Sequence, residues 1–135
     1  MIVQTPQDGL WYFAHPYTCK DAEGLYVLAG EEANFRLCCT RSARLIEAGW
    51  LIYSPIIQTH PIHCAWPPFV GQHAHHFWYQ YDRRFIEAAG FVGIIISPGW
   101  RYSHGCCEEK CLFEKMGRPL LYFQDPCLVA TEPFG

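Results

Sequence analysis

Short apolar runs alternate along this chain with longer stretches in which apolar residues recur every three or four positions. The first run, Leu10–Ala14 (LWYFA), ends at His15-Pro16 and predicts a buried strand. Residues 17–30 mix Asp, Gly and Lys without a period and predict a loop with at most a short helical piece. From Glu31 to Ala48 the stripe Phe35, Cys38, Cys39, Ser42, Leu45 and Ile46 has helical spacing. Arg36, Arg41 and Arg44 lie off it, and Gly49 stands where a helix stops. Trp50–Ser54 predicts the second strand, closed by Pro55. Residues 56–72 are rich in Pro, His and aromatic residues and predict a long loop of the kind that carries function. A second helix is expected from His75 to Ala89, with Phe77, Trp78, Tyr81, Phe85 and Ala88 on its apolar face. Phe91–Ser97 (FVGIIIS) has the composition of a central parallel strand. A third helix over His104–Met116 stops at Gly117, Leu120–Phe123 is the last strand, and residues 124–135 form an irregular tail.

Strands alternating with helices imply right-handed crossovers. The expected fold is α/β: one domain over residues 1–135, a Rossmann- or flavodoxin-like three-layer sandwich with a parallel sheet of four to five strands. Ligands of such folds bind beyond the carboxyl ends of the strands. Here that means residues 15–30, 55–72 and 98–105.

Composition narrows the partners. Half of the residues are hydrophobic, which argues against disorder. The formal charge is −3 and there is no Lys/Arg run, so no nucleic-acid polymer is expected as a partner, although a mononucleotide needs only a local anion site. No apolar stretch approaches the ~18 residues of a membrane span. The segment MIVQTPQDG lacks the basic and apolar regions of a secretory signal. Of the eight cysteines, Cys38-Cys39 and Cys106-Cys107 are sequence neighbours, which suits reduced thiols in a cytoplasmic protein better than a disulfide framework.

The third helix carries the most chemistry. Ser103 is a candidate N-cap, followed by the free N–H groups of His104, Gly105 and Cys106, a potential anion site. On a helical wheel Glu109 falls within the arc of Gly105, Leu112, Phe113 and Met116, whereas Lys110, Glu114 and Lys115 fall outside it and Glu108 at its margin. An inward carboxylate is costly unless it is paired with an arginine or used in a pocket. Asp82 lies between Trp78 and Phe85, a setting that raises a carboxyl pKa unless Arg83 or Arg84 pairs with it. His60, His63, Cys64, His73, His75 and His76 crowd one region, but no Cys-x-x-Cys or His-Glu-x-x-His spacing is present. We assign no metal and no cofactor on this spacing, leaving a metal-dependent hydrolase as an alternative. Cys106, in a helix first turn, is an alternative nucleophile without an identifiable base.

The series Tyr12-Phe13-Ala14-His15-Pro16-Tyr17, Ser54-Pro55-Ile56 with His60-Pro61-Ile62, Phe77-Trp78 with Tyr81-Asp82, Gly99-Trp100-x-x-Ser103-x-Gly105-x-x-x-Glu109 and Gly117-Arg118-Pro119 resembles the nucleoside 2-deoxyribosyltransferase-like superfamily. It most resembles a small bacterial and phage branch related to N-glycosidases of 2′-deoxynucleoside 5′-monophosphates. The resemblance implies that Glu109 is the nucleophile at the sugar C1′, that Asp82 assists protonation or positioning at the base or sugar, and that Tyr12 lies near the sugar and the nucleophile. It implies a binding set of Ser103, Gly105, His15, Pro16, His60 and Trp100, with Ser103 and Gly105 holding a 5′-phosphate. The implied activity is cleavage of an N-glycosidic bond by hydrolysis or base exchange. The implied partner is a nucleoside or nucleotide, and the expected assembly a homo-oligomer, a dimer or tetramer. A non-catalytic nucleotide-binding module is the alternative that keeps the same pocket.

Overall fold

The computed structural model describes residues 2–66 and 72–134, the side chains of residues 72–75 excepted. The chain runs β1 (Leu10–Ala14), α1 (Leu28–Glu47), β2 (Leu51–Tyr53), α2 (Pro55–Ala65), α3 (Gln72–Ala89), β3 (Gly93–Ile96), a 3-10 turn (Trp100–Tyr102), α4 (His104–Lys115), β4 (Leu120–Gln124) and β5 (Leu128–Ala130). The strands form one sheet in the order β2-β1-β3-β4-β5. The first four are parallel, and β5 joins antiparallel to β4.

The strands are apolar on both faces, apart from the exposed Gln124 at the end of β4, because both faces of the sheet are covered. Trp11, Phe13, Ile95, Leu121 and Phe123 meet Cys38 and Leu45 of α1 and Ile56 of α2 on one face. Tyr12, Ala14, Ile94, Ile96 and Tyr122 meet Ile86 of α3 and Cys106 and Phe113 of α4 on the other. This is the expected α/β sandwich. The middle strand is tightly enclosed: a Cβ on Gly93 would lie 2.5 Å from both the Pro119 carbonyl oxygen and the Trp11 ring.

Several expectations are corrected. The first part of the expected loop, residues 56–65, forms α2 together with Pro55. Its buried positions Ile56, Thr59, His60 and His63 have helical spacing, but the stripe is mostly polar and interrupted by Pro61, so hydrophobicity alone hid it. Pro55 suits the first turn, whereas Pro61 removes one internal hydrogen bond that packing of α2 on α1 overrides. The remainder of the expected loop, residues 67–71, lies outside the described residues. Arg41, expected off the α1 stripe, is buried, and Ile46 is exposed. On α3 the core residue is Ile86, while Ala88 faces solvent. The tail turns back as β5, with Val129 and Ala130 buried. No helix among the described residues is long and apolar enough to cross a membrane.

Candidate functional site

Three strands deliver their following segments to one place: β1 leads to His15, β2 to Pro55 and Ile56, and β3 to Tyr102 and Ser103. Together they bound a cavity of about 630 Å³. It stands between the neighbouring strands β1 and β3, whose following helices α1 and α4 lie on opposite faces of the sheet, the switch point at which open α/β sheets bind ligands.

Three acidic residues line this cavity, Asp82 from α3 and Glu108 and Glu109 from α4. Glu108 is taken up by His104 at 2.5 Å, which leaves Asp82 and Glu109 as the candidate reacting pair. The Tyr12 hydroxyl, buried at the end of β1, donates to Glu109 Oε2. Among the described residues neither carboxylate has an ion pair; Arg83, the neighbour of Asp82, turns to Glu87 at 3.5 Å. Asp82 Oδ1 is buried without a hydrogen-bond partner among the described residues. Burial pushes the Asp82 carboxyl up to about 7. Glu109 is raised by burial and by the Asp82 charge, against the opposing Tyr12 hydrogen bond. Tyr12 is itself raised by burial and the Glu109 charge, and so stays a proton donor. Two such carboxyls cannot both ionise at little cost, and the pair retains a proton near neutrality.

Above the carboxyls stands the start of α4. Ser103 Oγ accepts from the Cys106 N–H at 3.2 Å, the cap expected of it. The His104 and Gly105 N–H groups lie in the first turn, where a helix supplies no acceptor. A Cβ added at Gly105 would meet nothing within 4 Å, so the cavity passes directly over this turn. Cys106 is buried and its thiol is pushed up, chiefly by desolvation, contrary to the thiolate a nucleophile needs.

His15 closes the opposite wall. Arg41 Nη1 donates to His15 Nε2 at 2.9 Å, which leaves Nδ1–H to donate to the Pro16 carbonyl at 2.8 Å. Burial lowers the imidazole pKa to about 4, so His15 is neutral. Arg41 also donates to Ser97 Oγ and forms a two-pronged pair with Asp125 at 3.0 and 2.7 Å.

The family model described as a domain of unknown function, DUF1937, matches residues 9–125. The chain belongs to the DUF1937 family. No curated protein matches the chain. The DUF1937 match spans the whole parallel part of the sheet and every residue of the cavity, and leaves β5 outside.

Of the predicted site residues, the DUF1937 cavity brings together His15, Asp82, Ser103, Gly105 and Glu109, with Tyr12 behind Glu109. Three are elsewhere. His60 is buried on α2 between Tyr17 and Glu32. Pro16 packs under the Gly99 turn. Trp100 lines a second cavity of about 530 Å³, with the Lys110 ammonium 5.5 Å from its ring centre. His73 and His75 lie outside the described side chains, while His63 lines the main cavity and accepts from Trp78 Nε1–H at 3.3 Å. Sequence reasoning missed Lys20, Tyr26, Tyr79 and Arg83 in the cavity wall. Lys20 and Tyr26 arrive there through an antiparallel bridge to each other, a pairing with no periodic signal.

Proposed function

We propose that this protein cleaves the N-glycosidic bond of a nucleoside or nucleoside 5′-monophosphate. The observation that carries the proposal is the largely buried Asp82–Glu109 carboxyl pair, with Glu109 held by Tyr12, on one cavity beside the open first turn of α4. Glycosidic cleavage needs one carboxylate at C1′ and one acid at the leaving group, and a pair that retains a proton is in that state. Glu109 attacks C1′ through an oxocarbenium-like transition state and forms a glycosyl-enzyme. Its free oxygen is oriented by the Tyr12 hydroxyl. Asp82 passes the proton to the departing base, and water or a second base then releases the sugar.

The cavity walls support this substrate class. Trp78, Tyr79 and Tyr102 offer aromatic surface to a base, and Lys20, Arg83 and the α4 N-terminus offer positive charge to a phosphate. The net charge of −3 favours a small nucleotide over a polymer, and eight free thiols fit a reducing cytoplasm. The resemblance of the Ser103-x-Gly105-x-x-x-Glu109 segment to the nucleoside 2-deoxyribosyltransferase-like superfamily points the same way.

The test is a panel of nucleosides and 5′-monophosphates assayed for released base, with and without a second base as acceptor. Glu109→Gln should lower the rate a hundredfold or more, the scale of losing one well-placed charge, on the order of 3 kcal/mol. Glu108→Gln should retain activity, because Glu108, although on the cavity wall, is engaged by His104 of its own helix at 2.5 Å. Binding of a nucleotide without turnover by the wild type would replace the enzyme with a nucleotide-binding module.

A further inference from the structure

Away from the cavity, α1 and α2 meet along a seam where three side chains of different chemistry converge. We infer that Glu32, His60 and Cys64 form a binding site for a zinc-class divalent cation. One ligand atom from each lies within 4.8 Å of the other two. His60 Nε2 is 2.5 Å from Glu32 Oε2 and 3.4 Å from Cys64 Sγ. Ligand atoms of a tetrahedral zinc ion, each about 2.0–2.3 Å from the metal, stand roughly 3.3–3.7 Å apart. The His60–Cys64 distance falls in that range; Sγ is also 3.8 Å from Nδ1, beside the ring, and the exposed thiol turns towards the Nε2 edge to ligate. Glu32 stands closer because a proton occupies the space between Nε2 and Oε2. Its side chain is 41% exposed and free to draw back when a larger ion replaces that proton.

Two of the three donors, Glu32 and His60, are oriented by a neighbour that is not a ligand, which is how metal sites hold their ligands. Arg36 Nε holds Glu32 Oε1 at 3.1 Å, leaving Oε2 to the site. The Tyr17 hydroxyl lies 2.6 Å from His60 Nδ1, leaving Nε2 to the site. Phe35 stacks on the His60 ring, with centres 4.3 Å apart and planes at 28°. The buried Glu31 stands next to Glu32 in the first turn of α1 and adds negative charge to the surroundings. On binding, Cys64 loses its thiol proton to water as the metal–sulfur bond forms. The His60 proton moves from Nε2 to Nδ1, and Nδ1–H then donates to the Tyr17 oxygen. Sulfur, imidazole and carboxylate together select zinc over the hard cations magnesium and calcium. The exposed Cys64 gives the ion access from solvent. Because Tyr17 lines the cavity and touches His60, a bound ion braces the cavity wall without entering it.

Cobalt(II) titrated into the chelator-treated full chain tests the site. A thiolate-to-cobalt charge-transfer band should appear, saturate at one equivalent and vanish on adding zinc. Cys64→Ser should abolish the band and Glu32→Gln should weaken binding at least tenfold. Both residues are solvent-accessible, so both variants keep the fold. Cys111→Ser, an exposed thiol on α4, should leave the band unchanged. Absence of the band, its survival in Cys64→Ser, or unaltered affinity in Glu32→Gln would each overturn the site.

Discussion

Replacing Asp82 by Asn removes one carboxyl of the Asp82–Glu109 pair while keeping its shape. Burial lifts this carboxyl from its ordinary 3.8 to about 7, so between those pH values the folded chain holds a proton that the unfolded chain has released. Stability must therefore fall as pH rises through the window, by up to about 1.4 kcal/mol per pH unit. The full window is worth roughly 4 kcal/mol, and a carboxyl open to cavity water feels about half of it. Asn has no such slope. Its removal of the Asp82 charge also relieves Glu109, which acts in the same direction. Asp82→Asn should accordingly gain roughly 2 kcal/mol on the wild type between pH 4 and pH 8. For a domain of this size that is a relative gain in Tm of roughly 8 °C. His15 contributes with the opposite sign: burial lowers its pKa from 6.5 to about 4, so its contribution is lost as pH falls through that range. It is present in both proteins and cancels in the difference, as does any fixed cost of burying the Asn amide. Urea unfolding of both proteins at several pH values measures the gap. A gap that is the same at pH 4 and pH 8 would refute the buried, unpaired Asp82. A gap that moves the other way would show that Asp82 has a cationic partner.

Gly105→Leu should leave stability unchanged or raise it by up to about 1 kcal/mol, since its backbone is helical and its side chain enters open space. The same change should abolish nucleotide binding by filling the cavity; a variant that binds like the wild type would move the ligand away from α4. Arg41→Met should cost about 2–3 kcal/mol in urea unfolding, because His15 Nε2 and Ser97 Oγ lose their donor inside the protein, while the half-exposed Asp125 returns to water. A loss below about 0.5 kcal/mol would mean that another donor reaches His15.

Periodicity alone identified β1, the span of α1 and α4, and the central strand, because these elements bury apolar residues at a spacing that the chain itself displays. The wheel of α4 also placed Glu109 inward, and the Ser103 cap is local chemistry. Helix α2 was hidden because beyond Ile56 its buried stripe is Thr59, His60 and His63, and the burial of His60 depends on partners supplied by α1 and the β1 loop. The same reason covers Arg41, which reads as a solvent-facing charge until Asp125, 84 residues away, comes to meet it. It covers the bond from Tyr12 to Glu109, 97 residues apart, and the approach of Glu32 to His60, 28 apart. A sequence displays which face of an element is apolar. Which polar groups are buried is decided by the packing that brings distant partners within hydrogen-bonding reach, because a polar group is buried at little cost only once its partner is there.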